Sequence, residues 1–308
     1  MRSLPAGRWL LAVSGGRDSM ALLHALASLR PGEIAAVATF DHATGAAARH
    51  AVALVEREGS RLGLPVVTGR MTPTGPPTEA SWRDARWRFL HGWSRELDAD
   101  IVTAHTLDDQ METVAQRILR GSGPRGLAGM SKQNARESRI VRPLLGVSRA
   151  AVVSYTDAFQ VPFVEDPSNL SRVHGRNRMR HDLLPALEAA VPGFRAWLAD
   201  LAARAGHWRA GVESFVDRLV DQGDLALDDR VAVLRAATFD DLEAREWGII
   251  WPAVAARLGL AMDRRGVMRA SAWAPVSTTG SQIPLSGNAR IERTRDTFVL
   301  RIDGPGTS

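Results

Sequence analysis

The sequence predicts an α/β protein in which a parallel sheet with helices on both faces is followed by a helical linker and a small α+β C-terminal domain. Two observations support this fold class. The first half of the chain alternates between short apolar runs and segments with helical apolar spacing, which is typical of parallel strands joined by crossover helices. The second half holds long helical patterns and then a short alternating run at 297–302. We expect a first domain at 1–192, and the linker and C-terminal domain at 193–308.

Each predicted strand is a short apolar run bounded by turn residues, and each predicted helix repeats apolar side chains every three or four residues. The strands are predicted at 8–13, 33–40, 64–69 and 99–104, with a fifth strand or extended segment at 139–145. The helices are predicted at 18–29, 46–62, 78–97, 108–120, 193–221 and 238–258. A glycine-rich loop is predicted at 121–129, and Trp82 and Trp93 are predicted to face the core.

The composition narrows the classes of function. The chain has 308 residues, a net charge of +5 and no cysteine, and Lys132 is its only lysine among 39 basic residues. The absence of cysteine excludes disulfides, zinc–thiolate sites and cysteine nucleophiles. The basic balance favours a nucleotide or nucleic-acid partner. No apolar stretch is long enough to cross a membrane, so we expect a cytoplasmic protein.

A phosphate-binding loop is predicted between the first strand and the first helix. A glycine-rich turn there exposes backbone N–H groups beside the positive end of the helix dipole. The spacing fits neither a Walker A loop, which requires a lysine, nor the dinucleotide-binding fingerprint. Asp18 lies in the first helical turn, where it can cap the helix or hold Mg²⁺. The residues of this loop are Ser14, Gly15, Gly16, Arg17, Asp18 and Ser19.

A second group of polar residues follows the fourth strand. His105 lies at the junction between that strand and the next helix. Asp109 and Glu112 are three residues apart and therefore share one helix face. The two carboxylates can bind an ammonium group or orient Mg²⁺, or they can simply stabilise the first turn of a helix. Basic residues then recur along the chain at Arg120, Arg125, Arg142, Arg176, Arg178 and Arg180.

These segments together resemble the tRNA(Ile)-lysidine synthetase family of the N-type ATP pyrophosphatases. The loop Ser-Gly-Gly-x-Asp-Ser is similar to their PP-loop. It is followed in order by His-x-x-Asp-Asp-Gln-x-Glu-Thr, Arg-Gly-Ser-Gly, Arg-Pro-Leu-Leu, Asp-Pro-Ser-Asn and Arg-Asn-x-x-Arg, as in that family. The resemblance extends over about 9–185 and, more weakly, over 283–300. Two positions depart from the family pattern, with Ala43 at a usual glycine and Trp87 at a usual tyrosine.

The resemblance implies a PP-loop ATP-pyrophosphatase domain followed by a C-terminal domain that contacts tRNA. The implied reaction ligates free L-lysine to carbon 2 of the wobble cytidine of tRNA(Ile) with a CAU anticodon, by way of an adenylated tRNA, with ATP and Mg²⁺. ATP would be held by the loop together with Asp41 and His42, and Mg²⁺ by Asp18. The implied catalytic residues are Asp18, Arg83, Arg86, His105, Asp109 and Glu112. The implied tRNA contacts are Arg120, Arg125, Arg142, Asn169, Arg176, Asn177, Arg178 and Arg180. A monomer and a homodimer both remain open.

Three alternatives share parts of this pattern. A PP-loop tRNA thiolase has the same loop, but sulfur transfer of that kind normally uses cysteine, which this chain lacks. A relative that makes GMP or NAD needs an ammonia source and lacks the Arg-Gly-Ser-Gly and Arg-Pro-Leu-Leu segments. A non-catalytic protein that binds tRNA or nucleotide is a different class, against which the presence of Asp18, Asp109 and Glu112 argues.

Overall fold

The computed structural model describes residues 4, 6–43, 45–72, 78–131, 133–134, 139–165 and 175–303. The chain divides into two compact units. The first comprises Met1–Arg120 and Gly129–Ala202, and the second comprises Gly121–Ala128 and Ala203–Ser308. The division after residue 202 lies beyond the boundary expected at 192. The segment Gly121–Ala128, expected in the first domain, belongs to the second unit.

The first unit is built on a six-stranded sheet with the order β3-β2-β1-β4-β6-β5. Its strands are β1 Trp9–Ala12, β2 Ile34–Asp41, β3 Val66–Arg70, β4 Asp100–Thr103, β5 Gln133–Asn134 and β6 Ile140–Val141. The five strands other than β5 run parallel, which confirms the predicted parallel sheet. Strand β5, which was not predicted, pairs antiparallel with β6.

The helices of the first unit connect these strands and then extend beyond them. In chain order they are α1 Arg17–Leu29, α2 Ala46–Arg61, α3 Glu79–Glu96, α4 Leu107–Leu119, α6 Arg149–Ala158, α7 Gly175–Arg178 and α8 Leu184–Ala190. A π-helical segment, Met179–Leu183, joins α7 to α8. Helix α9, Phe194–Asp221, begins in this unit and ends in the second.

The two faces of the sheet carry separate apolar clusters, because successive side chains of a strand point to opposite sides. Trp9 and Leu11 of β1 pack with Leu22 and Leu26 of α1 on one face. Leu10 lies on the other face in a cluster that includes Leu90 of α3. Helices therefore cover both faces, as predicted.

The prediction that Trp82 and Trp93 belong to the core is wrong in part. Both side chains are only partly buried. Trp93 packs against the apolar cluster that contains Leu10 and Leu90, whereas the centroid of the Trp82 ring lies 6.4 Å from that of the His42 ring. Helical spacing predicts that Trp82 and Trp93 share a face of α3. It does not predict how much of that face is buried by the rest of the protein.

The second unit is a five-stranded antiparallel sheet with the order β7-β8-β11-β10-β9, packed with helices. Its strands are β7 Leu225–Asp228, β8 Val231–Arg235, β9 Gln282–Leu285, β10 Ala289–Arg293 and β11 Thr297–Ile302, and its helices are α5 Pro124–Leu127, α10 Ala244–Arg257 and α11 Arg264–Trp273. Trp247, Trp251 and Phe298 form the centre of its core. This unit confirms the predicted small α+β C-terminal domain.

Several sequence-based expectations differ from these elements. The loop predicted at 121–129 contains the short helix α5, because Pro124 fixes a helical φ at its first position. The helix predicted at 238–258 begins only at Ala244, where Glu243 and Glu246 form a capping box. The hairpin β7–β8 and the helices α6, α7, α8 and α11 were not predicted. Within the described residues, no helix is long and apolar enough to cross a membrane.

Candidate active site

The order of the sheet reverses between β1 and β4, and a cavity of about 780 Å³ opens there. In an open parallel sheet the crevice at such a reversal, at the carboxyl ends of the strands, is where ligands bind. We call it the switch-point cavity. Of the residues predicted for the site, those that line it are Ser14, Gly16, Arg17, Asp18, Ser19, His42, Arg86, His105, Asp109, Asn177 and Arg180.

The predicted phosphate loop is held in shape on two sides. Gly15 has a φ of +81°, and a Cβ at this position would meet backbone and side-chain atoms of Ala51 at 2.8 Å. Only glycine satisfies both constraints. The Gly15 carbonyl accepts a hydrogen bond from the amide of Val164 at 2.9 Å. Gly16 forms the N-cap of α1 without a side-chain cap among the described residues, so the helix N-terminus is presented to the cavity.

The two serines of the loop are already linked to each other. The amide of Ser14 donates to Ser19 Oγ at 3.1 Å, and the two hydroxyl oxygens lie 3.2 Å apart. Ser19 Oγ also donates to the carbonyl of Gly16 at 2.9 Å. These bonds keep both hydroxyls at the N-terminus of α1, where phosphate oxygens can accept hydrogen bonds from them.

Arg17, predicted to bind the cofactor, directs its guanidinium toward α6. Nη1 donates to Thr156 Oγ1 and to Asp157 Oδ1, each at 3.1 Å. The guanidinium carbon lies 4.0 Å from the ring centroid of Phe163. The side chain of Arg17 therefore ties the phosphate loop to α6 and to the segment that contains Phe163.

Asp18 lies in the cavity beside a residue that sequence analysis did not identify. Its Oδ2 is 3.6 Å from Nη2 of Arg149, the first residue of α6. Burial raises the pKa of Asp18, the positive charge of Arg149 opposes this shift, and the nearby Asp109 adds to it. Arg149 follows the Arg-Pro-Leu-Leu segment closely, but nothing in its local pattern distinguishes it from a surface arginine.

Asp109 and Glu112 share one helix face, as predicted, and both contact Arg180. Arg180 Nη2 lies 3.1 Å from Asp109 Oδ1, and its Nε donates to Glu112 Oε1 at 2.5 Å. The exposed fractions of the side chains are 10% for Asp109, 2% for Glu112 and 19% for Arg180. Burial alone would lower the pKa of Arg180, but the hydrogen bond and charge of Glu112, together with Asp109, raise it above its ordinary value. Arg180, predicted as a tRNA contact, is thus the partner of the carboxylate pair.

The N-terminus of α4 fixes the direction of Asp109. Thr106 is the N-cap, and its amide and hydroxyl donate to Asp109 Oδ2 at 2.8 and 3.0 Å. This capping box leaves Oδ1 for Arg180. The interpretation of Asp109 as a helix cap therefore accounts for Oδ2. Oδ1 is paired with Arg180, and both residues line the switch-point cavity.

The segment after β2 contains the departure from the family pattern. Asp41 Oδ1 accepts from the amide of Ala43 at 2.8 Å, and Oδ2 lies 3.5 Å from Arg70. Ala43 has a φ of +58°, so it takes the left-handed conformation that favours glycine. Asp41 shapes this turn, whereas His42 lines the cavity.

Trp87 and Arg86 form another part of the cavity wall. Trp87 stacks on His91 with 5.5 Å between the ring centroids, and the Arg86 guanidinium lies 5.9 Å from the Trp87 ring. Burial lowers the pKa of His91, and the charge of Arg95 lowers it further. Arg83, one turn earlier, is exposed and does not line the cavity.

The remaining predicted residues lie in varied places. His105 Nδ1 is 2.8 Å from Thr103 Oγ1 within the cavity wall. Arg142 donates to the carbonyl of Ser131 at 2.8 Å. Arg120 and Arg178 are exposed, and Arg125 belongs to the second unit, where it lies 3.6 Å from Glu213. Asn169 and the side chain of Arg176 lie outside the described residues.

The carboxylates of the cavity suit a metal ion that is bound partly by phosphate. Among the residues that the structure describes, no group of three or more side chains has the arrangement of a metal site. Mg²⁺ usually takes one or two carboxylates together with substrate phosphates, so Asp18 beside the phosphate loop fits that role. The predicted assignment of Mg²⁺ to Asp18 stays a prediction.

The fold and the cavity define a class: an α/β nucleotide-binding protein with its phosphate loop at the sheet's reversal point. The PP-loop domain family matches residues 1–187. Among solved structures, the U34-tRNA thiolase NcsA from Methanococcus maripaludis, solved with its 4Fe–4S cluster, is similar with a TM-score of 0.56 and 15% identity, over 66% of this chain and 74% of that one. At this identity the likeness shows the fold alone.

Curated relatives are more specific. A tRNA(Ile)-lysidine synthase from Methylobacterium sp. is 35% identical over 85% of this chain and 86% of its own length. Those from Bradyrhizobium diazoefficiens and Pseudomonas aeruginosa are each 39% identical, over 73% and 64% of this chain. The chain belongs to the tRNA(Ile)-lysidine synthase family. It spans 65% of the Bradyrhizobium relative and 46% of the Pseudomonas one.

Proposed function

We propose that the chain uses ATP to attach lysine to carbon 2 of the wobble cytidine of tRNA(Ile) with a CAU anticodon, in the cytoplasm. The observation that carries the proposal is that the phosphate loop, Asp18 and Asp109 open into one cavity at the sheet's reversal point. The curated relatives bear the name of this activity. A site that brings a phosphate cradle and an ammonium-binding carboxylate together suits ATP-dependent ligation of an amine.

The first step makes a leaving group on the base. The carbonyl oxygen at carbon 2 of the cytidine attacks the α-phosphorus of ATP, forming a new P–O bond. The bond to the bridging oxygen breaks, and pyrophosphate leaves with that electron pair. The amides and hydroxyls of the loop Ser14–Ser19 hold the departing phosphates, and a bound Mg²⁺ at Asp18 would supply charge neutralisation. Arg86 lies in the same cavity and is suited to the α-phosphate.

The second step uses the amine of lysine. The ε-amine attacks carbon 2, a C–N bond forms, and AMP leaves with the electrons of the C–O bond. The lysine ammonium must first lose a proton, because only the neutral amine is a nucleophile. We assign ammonium binding to Asp109 Oδ1 and proton acceptance to His105, both of which line the cavity.

Glu112 has a different role from Asp109 in this scheme. It is almost completely buried, and it contacts Arg180 through both carboxylate oxygens. A carboxylate in that position does not reach a ligand in the cavity directly. Glu112 therefore acts as a positioning residue that holds Arg180 against Asp109.

The basic residues Arg120 and Arg178 are exposed and are suited to contact the phosphates of the tRNA.

A pyrophosphate-release assay tests this function. With ATP, lysine and tRNA(Ile) carrying the CAU anticodon, we expect sustained pyrophosphate release. Without that tRNA there should be no release, and without lysine release should stop after at most one equivalent per enzyme, because the adenylated tRNA is not consumed. Asp109→Asn should raise the KM for lysine about tenfold or more, because a charge-assisted contact to the ammonium is lost. The exposed Asp84→Asn is the control and should leave the KM unchanged. Release supported by sulfide in place of lysine would indicate a thiolase, and no release would favour a binding protein.

A further inference from the structure

Arg149 has a fixed backbone, and its guanidinium makes one ion pair within the described residues, with Asp18. Its amide donates to Asp108 Oδ2 at 2.7 Å, and Asp108 Oδ1 lies 3.3 Å from Arg195. Ser148 caps the helix that Arg149 begins. The starting point of the side chain is therefore anchored to α4, while the side chain itself extends along the switch-point cavity.

The donors of Arg149 are poorly used compared with those of the other two arginines described above. Arg180 makes hydrogen bonds to Asp109 and Glu112, and Arg17 makes them to Thr156 and Asp157. Arg149 Nε is buried with no hydrogen-bond partner within the described part of the chain. Its Nη2 is 3.6 Å from Asp18, which is an ion-pair distance rather than a hydrogen bond. The side chain as a whole is 38% exposed, so a ligand in the cavity can reach the guanidinium. A buried N–H without an acceptor carries a cost that a rearrangement onto such a ligand would relieve.

The surroundings of Arg149 indicate which ligand would do so. It faces Asp18 across the mouth of the phosphate loop, and it shares the cavity with Ser14 and Ser19. A planar guanidinium forms bidentate bonds with phosphate oxygens more readily than an ammonium does. Asp18 is the one acidic side chain to which the described structure pairs Arg149.

We propose that Arg149 is a phosphate ligand that exchanges partners: it neutralises Asp18 in the empty site and binds the pyrophosphate portion of ATP when the nucleotide enters. The exchange rests on the proposed use of ATP. It frees Asp18 for a metal ion at the moment when the phosphates arrive, so the number of unpaired charges in the cavity does not rise. Arg149 thereby joins the phosphate loop as a second element that contacts the leaving group.

Binding measurements on the whole chain test this without tRNA or lysine. Inorganic pyrophosphate and Mg·ATP are titrated calorimetrically into wild type, Arg149→Met, Arg149→Lys and the exposed control Arg57→Met. We expect Arg149→Met to weaken both ligands by about 10- to 100-fold, the size of one or two charge-assisted hydrogen bonds. Arg149→Lys should bind both ligands about threefold more weakly or worse, because an ammonium cannot form the bidentate hydrogen bonds of a guanidinium. Arg57→Met should bind as wild type does.

A second arm tests the exchange itself. In the presence of EDTA, Asp18→Asn should bind metal-free pyrophosphate several times more tightly than wild type, because the competing carboxylate is gone. That gain should be clearly smaller in the Arg149→Met background, where only the direct repulsion between Asp18 and pyrophosphate is removed. An equal gain in both backgrounds would overturn the exchange.

The outcomes separate the two proposals. Wild type that binds neither pyrophosphate nor ATP contradicts the proposed function. Wild type that binds both, with undiminished affinity in a folded Arg149→Met protein, contradicts only the role of Arg149. If Arg149→Met does not fold, Arg149→Lys decides, since unchanged affinity in that variant also overturns the proposal.

Discussion

Ala43, which follows the cavity-lining His42, has a left-handed backbone with a φ of +58°. A non-glycine residue in the left-handed region costs about 1–2 kcal/mol. Here the conformation persists because the amide of Ala43 donates to Asp41 Oδ1, and Asp41 is also paired with Arg70. The turn keeps its shape without the glycine usual in the family, and the cost is met by hydrogen bonds around it.

Ala43→Gly should therefore stabilise the protein. The left-handed strain is removed, while the added freedom of glycine in the unfolded chain offsets part of the gain, so we expect up to about 1 kcal/mol. Thermal unfolding should show a rise in Tm of about 2 °C. Gly45→Ala is the matched control. Gly45 has a φ of +129°, which a residue with a side chain rarely adopts, so this variant should have a lower Tm. An unchanged or lower Tm for Ala43→Gly would show that Ala43 is not strained.

From spacing in the sequence, contacts between site residues could be predicted only within one helix or one loop. The shared face of Asp109 and Glu112 follows from a separation of three residues on a helix. Their partner Arg180 is 71 positions from Asp109, and no local pattern states that they meet. The same holds for Arg149 and Asp18. Long-range pairing arises from the packing of whole helices, which spacing within one helix does not encode.

At the scale of elements, most boundaries in the first unit were predictable. The strands β1 and β2 are almost continuously apolar because parallel strands are buried on both faces. Helix α6 was missed because its sequence gives only a short, weakly amphipathic stretch, and its start depends on the single cap Ser148. The π-helical segment that presents Arg180 was not predictable either, since its extra residue per turn leaves no compositional signal.

Helix α11 in the second unit illustrates how one cap couples an element to pH. Asp263 Oδ1 accepts from the amide of Gly266 at 2.6 Å, and this bond is the main cause that lowers the pKa of Asp263, with Ser286 also contributing. A carboxyl group with a lowered folded-state pKa stabilises the fold above its unfolded pKa. That stabilisation is lost as pH falls through the folded-state pKa.

We expect Asp263→Ala to lower the Tm by about a few degrees at neutral pH, because the N-cap is lost. The difference from wild type should shrink progressively as the pH falls below about 4, the ordinary pKa of an aspartate, and toward the lowered folded-state pKa of Asp263. Asp263→Asn retains a capping oxygen without a titratable group, so it should remain close to wild type at neutral pH. A Tm difference that is constant from neutral to acidic pH would contradict the ionic contribution of this cap.

At the scale of the whole molecule, one exposed surface of helix α9 in the second unit is a candidate for the tRNA contact predicted for the C-terminal domain. Along α9, Arg204, Trp208, Phe215 and Arg218 fall at helical spacing on one exposed face. The Arg218 guanidinium lies 5.8 Å from the ring of Phe215. Aromatic rings with neighbouring arginines are typical of surfaces that stack bases and track phosphates.

Trp208→Ala combined with Phe215→Ala should weaken tRNA binding about tenfold or more, because stacking is lost. The affinity for pyrophosphate should not change, since neither residue lines the switch-point cavity. Filter binding at several salt concentrations provides the measurement, and Met268→Ala with Val276→Ala, also exposed in the second unit, provides the control. Equal losses in both pairs would indicate a general destabilisation of the unit.

The second unit is assembled from two stretches that are far apart along the chain. Gly121–Ala128 leaves the ribosome long before Ala203–Ser308 has been synthesised, so the short helix at Pro124–Leu127 must wait for its packing partners during translation. A chain that ends at residue 202 would retain this helix but lack the residues of the second unit that it packs against. For expression of the N-terminal α/β unit alone, we therefore expect a variant in which a short linker replaces Gly121–Ala128 to fold better than a simple truncation.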